Sequence, residues 1–280
     1  MDPTRGAMAA MDAGGRTAAM TGGRHPFDVQ RSVLYALVLR ELKTRFGGRW
    51  LGVYWAVFDP LAQVAVLTVL LGGFHRAVLP GIDYPVFLVT GMVPFYMFRN
   101  LSLRLMDGVD ANRALFSYRQ VKPIDTLVAR ALLEVGVYAV ISLIMFGIFS
   151  AFGMAWTPYQ PLQTLVLGGL LVGFGFGLGL FLAVATDSFH QSRAIVRVIF
   201  LPLYLMSGVL TPLHVIPVEW RPVLMLNPMV HALELSRAYF LPNYRVAEGA
   251  SLGYVACSSL VALAAGLALH HVRRHELLSD

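Results

Sequence analysis

The chain is short of charged residues and of cysteine. Only 14% of its 280 residues are charged, while 57% are hydrophobic. Soluble domains carry about 25% charged residues, so a water-facing surface over most of the chain is excluded. The single cysteine, Cys257, excludes an intrachain disulfide and leaves the redox compartment open. The composition therefore predicts an integral membrane protein.

Motifs for nucleotide hydrolysis and metal catalysis are also missing. The chain has only two lysines, Lys43 and Lys122, and neither belongs to a glycine-rich phosphate loop. It has no His-Glu-x-x-His motif and no aspartate-rich motif of prenyl-transfer enzymes. We therefore predict a chain that is not an enzyme and holds no catalytic residue, metal or cofactor of its own.

Long apolar runs predict an all-α membrane protein. A membrane-spanning helix needs about 20 apolar residues. The runs that meet this length lie at about 51–74, 85–107, 125–153, 162–186, 194–212 and 250–271. Residues 28–46 combine apolar positions on one helical face with several basic residues, which indicates an amphipathic interface helix. We expect one transmembrane domain over 28–275, a disordered cytoplasmic tail over 1–27 and a cytoplasmic C-terminal tail over 276–280.

Positive charge is concentrated on one side of these spans. The net charge of +6 would also suit nucleic-acid binding. Most of the 22 Lys and Arg residues, however, flank the spans on the side of the amino terminus. The positive-inside rule then places both termini in the cytoplasm and argues against nucleic acid as a partner.

The fourth span is rich in glycine. Its glycines are Gly168, Gly169, Gly173, Gly175, Gly177 and Gly179. A dinucleotide-binding loop is a poor interpretation, because such a loop joins a strand to a helix and this segment is mid-span. Small residues spaced by four let helices approach closely, so we predict tight helix packing here.

A proline-rich stretch interrupts the last third of the domain. Residues 201–242 are apolar, yet prolines occur at positions 202, 212, 217, 222, 228 and 242. Proline stops helices, and irregular backbone at membrane depth needs protein or water around it. We therefore expect residues 213–242 to enter the membrane from the outer side, turn and return.

Four residues of this stretch are candidates for a gate, namely Asn227, Pro228, Glu234 and Arg237. Glu234 and Arg237 lie three apart on one helical face and can form an ion pair. An ionisable pair near membrane depth indicates function. A buried structural pair that closes the hairpin is an equally good interpretation. A metal pair of His231 with Glu234, three apart on one helical face, is a weaker alternative than the ion pair of Glu234 with Arg237.

The connection between the second and third spans is the other informative segment. Over residues 110–125 it is amphipathic and proline-terminated, with Leu115, Phe116 and Val121 beside basic residues. An interfacial loop helix would explain this pattern. A helix that docks into a groove of a cytoplasmic partner would explain it as well.

Four features in chain order resemble a known family. They are the segment 40–46 running into 51–55, Pro60-Leu61 in the first span, residues 121–123, and Ser207-Gly208 followed by Asn227-Pro228. Together they resemble the type-2 ABC exporter permeases, and most of all the inner-membrane subunit of capsule, O-antigen and teichoic acid exporters. The resemblance covers about residues 28–275.

The resemblance implies a six-span permease in the bacterial inner membrane that works as a homodimer. Two separate ATP-binding cassette subunits would bind ATP and Mg, and the cargo would be a lipid-linked polysaccharide. Membrane lipids and a periplasmic export conduit are further candidate partners. The re-entrant helices would shape the periplasmic exit. The residues implied to couple the chain to the ATPase are Arg40, Glu41, Lys43, Arg45, Arg113, Leu115, Phe116, Arg119 and Lys122.

Aromatic residues are the candidates for lining a sugar path. Aromatic faces stack on sugars and tolerate sliding, although aromatics at span ends also form interface belts. The candidates are Tyr54, Trp55, Phe58, Phe95, Tyr96, Phe98 and Tyr204.

Two other functions remain open from the sequence. One is an exporter of a drug or small lipid in the same superfamily. The other is a membrane-embedded glycolipid transferase, which would need clustered carboxylates at one membrane face. Asp107 and Asp110 come nearest to such a cluster.

Overall fold

The computed structural model describes residues 26–47, 50–75, 81–115, 122–154, 157–187, 191–242 and 244–273. Within these ranges the chain is helical and contains no strand, which confirms the all-α prediction. The helices are α1 Pro26–Phe46, α2 Trp50–His75, α3 Tyr84–Met106, α4 Pro123–Ala151, α5 Pro161–Ala185, α6 Ser192–Met206, α7 Arg221–Leu224, α8 Pro228–Phe240 and α9 Leu252–Arg273. Short 3-10 segments occupy Asp110–Leu115 and Leu213–Val215.

Four of these helices, α3, α4, α5 and α9, are long and apolar enough to cross a membrane. Helix α2 has 26 residues, and the part of it whose side chains the structure describes includes the apolar run Phe58–Leu71. Helix α6 has 15 residues and ends at Met206, well short of the predicted boundary at 212. It ends there because Gly208 adopts φ 71°, a left-handed conformation that breaks the helix, and Pro212 then prevents its resumption.

Helix α3 is the centre of the bundle and packs against α2, α4, α5 and α8. Its large apolar side chains are almost completely enclosed by these neighbours. The fully buried ones include Phe87, Leu88, Phe95, Phe98, Leu101 and Leu105.

Glycines bring α5 into backbone contact with α9. A Cβ atom on Gly177 would lie 2.4 Å from the carbonyl carbon of Ala262, and one on Gly266 would lie 2.3 Å from the Gly177 oxygen. Gly179 packs equally closely on α3, since its Cβ would lie 2.7 Å from that of Leu105. The predicted packing role is confirmed for these glycines, whereas Gly168 and Gly169 meet nothing within 4 Å.

Helix α1 lies against the first half of α4. The predicted helix over 28–46 is present, but its apolar side chains are divided between two environments. Leu37 is buried, while Tyr35, Leu39 and Leu42 are exposed. Exposed apolar residues on a helix beside a membrane bundle suit the lipid interface, where apolar side chains find an apolar surrounding.

Candidate functional site

A polar cavity opens among the end of α1, the first half of α2, the second half of α3 and the middle of α4. Its volume is about 350 Å³. The polar side chains that line it are Arg45, Asp59, Gln63, Tyr96, Arg99, Asn100, Arg104 and Tyr138. Polar side chains gathered inside an otherwise apolar bundle are costly unless they serve a function, so this cavity is the candidate site.

Hydrogen bonds connect the cavity wall across three helices. The Tyr96 hydroxyl of α3 donates to the side-chain oxygen of Gln63 on α2. The Asn100 amide donates to the Tyr138 hydroxyl of α4 at 2.6 Å. Gln63 in turn donates to the Asp59 carboxylate at 3.1 Å. The wall is therefore held in place by its own polar groups, which leaves the cavity preformed.

The predicted path aromatics divide into three groups. Tyr54, Trp55 and Phe58 contact one another on α2 with ring centroids 5.3–6.1 Å apart. They are solvent-exposed, and Trp55 also lines the cavity. Tyr96 stacks on Tyr204 at 5.6 Å with an interplanar angle of 11°. Tyr96, Tyr204 and Gln63 line an adjoining apolar cavity of about 380 Å³.

The third group, Phe95 and Phe98, is placed in the core. Their side chains are 0% and 1% exposed. Phe95 packs edge-on against Tyr204 at 5.2 Å, and Phe98 stacks on Phe174 at 4.8 Å. Both rings are enclosed by neighbouring side chains in this conformation, and a role of either ring in lining a path stays a prediction.

An ion-pair cluster lies beside the cavity, where α1 meets α3 and α4. The buried carboxylate of Glu134 accepts from Arg45 at 2.6 Å and from Arg104 at 2.9 Å. Burial lowers the pKa of the Arg45 guanidinium, with Glu134 opposing the shift and Arg104 adding to it. Next to this cluster, Arg130 forms an ion pair with Glu41, with Nε 2.8 Å from Oε1.

The predicted coupling residues are therefore divided in their environment. Arg45 and Glu41 both form ion pairs with α4, and Arg40 donates to Asn112 at 2.7 Å. Lys43 and Lys122 are exposed and free to meet a partner surface. The side chains of Arg113 and Leu115, and all of Phe116 and Arg119, lie outside the described residues.

A second set of ion pairs joins the end of α3 to the start of α6. Arg197 donates to both carboxylate oxygens of Asp107 at 2.9 Å. Arg193 pairs with Asp110 and also donates to the Thr186 hydroxyl at 3.3 Å. Because both aspartates are neutralised by arginine, they do not form the free carboxylate pair that a transferase would need.

Arg237 ties the interrupted segment to the bundle. Its side chain is 0% exposed and lies 3.8 Å from the ring centroid of Phe87. One terminal nitrogen donates to the carbonyls of Gly208 and Val209 at 2.7 Å and 2.9 Å. These carbonyls follow the end of α6 and would otherwise be unpaired in the interior of the bundle, so Arg237 replaces the missing helical donors.

Glu234, also on α8, binds the chain that follows this helix. Its carboxylate accepts from the Tyr244 hydroxyl at 2.8 Å and from the Ala247 amide at 3.0 Å. Its distance to Arg237 is longer, 3.5 Å. Burial raises the pKa of Tyr244, which keeps that hydroxyl a donor.

Asn227 and Pro228 begin helix α8. Asn227 caps the helix by accepting from the Met229 amide at 3.0 Å, and Pro228 occupies the first turn. His231 accepts from the Ser251 amide at 3.1 Å through Nδ1, so Nε2 donates to the Met225 carbonyl at 2.7 Å. With both ring nitrogens engaged, the metal interpretation loses its support. Over the described residues no group of three potential ligands assembles.

A polar cavity within an apolar helical bundle is the kind of site that membrane transport proteins use. The chain belongs to the ABC-2 type transporter family, whose sequence model matches residues 32–241. The resemblance seen in the sequence is thereby confirmed.

Relatives of this chain carry names from glycan export. It is 39% identical to the polysialic acid transport protein KpsM of Escherichia coli, over 92% of this chain and 99% of the relative. It is 29% identical to the capsule polysaccharide export inner-membrane protein CtrC of Neisseria meningitidis serogroup B, over 86% and 91%. It is 27% identical to the O-antigen export system permease protein RfbA of Myxococcus xanthus, over 88% and 94%.

Proposed function

We propose that the chain is the permease subunit of an ATP-driven exporter that moves a lipid-linked capsular polysaccharide across the bacterial inner membrane. The observation that carries this proposal is the polar, aromatic-edged cavity between α2, α3 and α4. Similarity to the polysialic acid transport protein over nearly the whole chain supports the choice of cargo.

The proposed topology has six spans, with α2 and α6 added to the four long apolar helices. Both termini are cytoplasmic, and the segment from α7 to α8 is re-entrant from the periplasm. Two features support this arrangement. Helix α8 has only 13 residues, yet it packs against α3, α5 and α9 inside the bundle. The turn after α6 has its carbonyls satisfied by Arg237, as irregular backbone at membrane depth requires.

The path in this proposal forms between two copies of the chain. Helices α2 and α6 expose apolar residues over much of their length, which supports a partner surface there. The most exposed of them are Val69, Leu70, Ile195, Val198 and Leu201. A second copy that covers these faces would bring two sets of Tyr54, Trp55 and Phe58 together around one passage.

Coupling to the ATPase is proposed to run through α1 and the connection between α3 and α4. The partner subunits hold the ATP and Mg. Lys43 and Lys122 are exposed for contact with them, while Arg45 and Glu41 transmit movement of α1 to α4 through their ion pairs. The loop after α3 reaches α6 through Asp107 and Arg197.

Surface glycan provides the test. A strain that lacks its own export permease is complemented with this chain and its ATPase, and capsule is measured at the cell surface and inside the cell. Tyr96→Phe removes the hydrogen bond to Gln63 and is expected to lower surface glycan several-fold while glycan accumulates inside. Tyr159→Phe, the same change at an exposed loop position, should leave export intact. Altered drug efflux with normal surface glycan from both variants would contradict the proposed cargo.

A further inference from the structure

We propose that His231 is a pH-sensitive clasp, which ties α8 to the turn after α7 and to the start of α9 while its ring is neutral and loosens when the ring takes up a proton. A regulatory device of this kind goes beyond the proposed export function. It rests on that function only where it names the periplasm as the compartment whose pH the clasp senses.

The two hydrogen bonds of the His231 ring determine its protonation. The Met225 carbonyl, 2.7 Å from Nε2, can only accept, so Nε2 carries the hydrogen. The Ser251 amide, 3.1 Å from Nδ1, can only donate, so Nδ1 offers its lone pair. A protonated ring carries a hydrogen on both nitrogens, and two donors then face each other where the Ser251 bond was. Because only 5% of His231 is exposed, water has little room to bridge these donors.

The clasp holds the turn after α7 from two helices. The Tyr254 ring of α9 lies 4.5 Å from the His231 ring, and its hydroxyl donates to the Leu226 carbonyl at 2.9 Å. A Cβ atom on Gly249 would lie 3.2 Å from the methyl carbon of Met225, so the loop before α9 packs on the same turn. Loss of the amide bond to the ring would therefore free this loop from α8 and leave the turn after α7 with fewer ties to the bundle.

Few other groups near this end of the bundle change charge in mild acid. On α8, the Glu234 carboxylate binds Tyr244 and the Ala247 amide and pairs with Arg237. Helix α5, which packs on α8, contains no ionisable residue. The remaining ionisable residues are Tyr84 at the start of α3, Tyr239 on α8, Tyr254 and Cys257 on α9, Arg221 on α7, and the exposed His214, Glu219, Arg245 and Glu248. Histidine is the side chain whose charge changes between about pH 5 and 8, so His231 is the buried group expected to respond.

Amide hydrogen exchange of the purified full-length chain tests the clasp. The Ser251 amide reports the bond to His231, and the Ala247 amide, which donates to Glu234 at 3.0 Å, reports the neighbouring carboxylate. The clasp is complete while the ring is neutral and is lost as the pH falls. Between about pH 7.5 and pH 5.5 we expect Ser251 protection to fall about tenfold after correction for intrinsic exchange, the equivalent of one hydrogen bond. Protection of the Ala247 amide should stay unchanged.

Two variants isolate the contribution of the ring. His231→Gln substitutes a neutral amide that can accept and donate but does not titrate, so protection of Ser251 should no longer depend on pH. His214→Gln, the same change at an exposed position before α7, is the matched control and should keep the wild-type response.

Each remaining outcome bears on the proposal. Equal Ser251 protection at both pH values in the wild type overturns it, as does a pH response that persists in His231→Gln. An equal loss at Ala247 would assign the response to Glu234 instead. If His231→Gln fails to fold, NMR of the ring nitrogens in the wild type decides, because a charged ring beside a protected Ser251 amide contradicts the clasp. These measurements involve neither cargo nor ATPase, so their failure would leave the surface-glycan assay unaffected.

Discussion

Arg237 satisfies several buried groups at once, so its removal should destabilise the folded chain. Its loss would leave two buried carbonyls without a donor and would remove the cation beside Glu234. Breaking a buried ion pair by removal of one partner costs about 3–5 kcal/mol. Arg237→Met is therefore expected to lower the melting temperature of the detergent-purified chain markedly. Arg245→Met, an exposed loop position, should melt as wild type.

The same comparison separates the two interpretations of the Glu234 and Arg237 pair. A structural role links loss of export to loss of folded protein. A gating role would give Arg237→Met a wild-type melting temperature together with altered export. The fully buried side chain of Arg237 and its carbonyl partners favour the structural role.

Several residues of the candidate site could not be predicted from the sequence. Asn227 was named in the sequence only as part of the proline-rich stretch and of the family resemblance, and the structure makes it the N-cap of α8. Arg45 and Glu134 are 89 positions apart, so nothing in local spacing could pair them. The polar cavity residues Gln63, Arg99 and Asn100 were overlooked, although a polar residue within an apolar run is itself a signal of function. The burial of Phe95 and Phe98 depends on how α3 packs, which periodicity alone does not determine.

At the scale of elements, hydrophobic runs predicted α3, α4, α5 and α9 closely. A run of about 20 apolar residues is by itself a strong indication of such a helix. The end of α6 was predicted poorly. Gly208 and Pro212 end the helix at Met206, and the carbonyls of Gly208 and Val209 then receive their donor from Arg237 on α8. Such compensation comes from a distant helix and is invisible in local sequence.

The link between α3 and α6 should matter for coupling more than for stability. Asp107 and Arg197 are both partly exposed, so their pair contributes about 0–1 kcal/mol. Asp107→Arg is expected to reduce export several-fold while the melting temperature stays nearly unchanged. The charge-swapped double variant Asp107→Arg with Arg197→Asp should recover most of the export. A double variant no better than the single one would show that the ion pair does not transmit movement.

At the scale of the whole molecule, the proposed orientation predicts which positions face which compartment. A variant with Cys257→Ala provides a cysteine-free background, since the chain has one cysteine. Lys43→Cys and Glu219→Cys then place single thiols at exposed positions at opposite ends of the bundle. A membrane-impermeant maleimide applied to cells with a permeabilised outer membrane should label position 219 and spare position 43. Labelling in the reverse pattern would invert the topology.

The glycine contact between α5 and α9 also limits how this molecule can move. Backbones that approach within the width of a methyl group cannot slide or rotate past one another without collision. Helices α3, α5, α8 and α9 therefore behave as a stator, a fixed block against which other parts turn. Helix α6 makes few contacts with that block, and α2 meets it mainly along α3. Any opening stroke of the permease should accordingly appear as displacement of those two helices while the block keeps its shape.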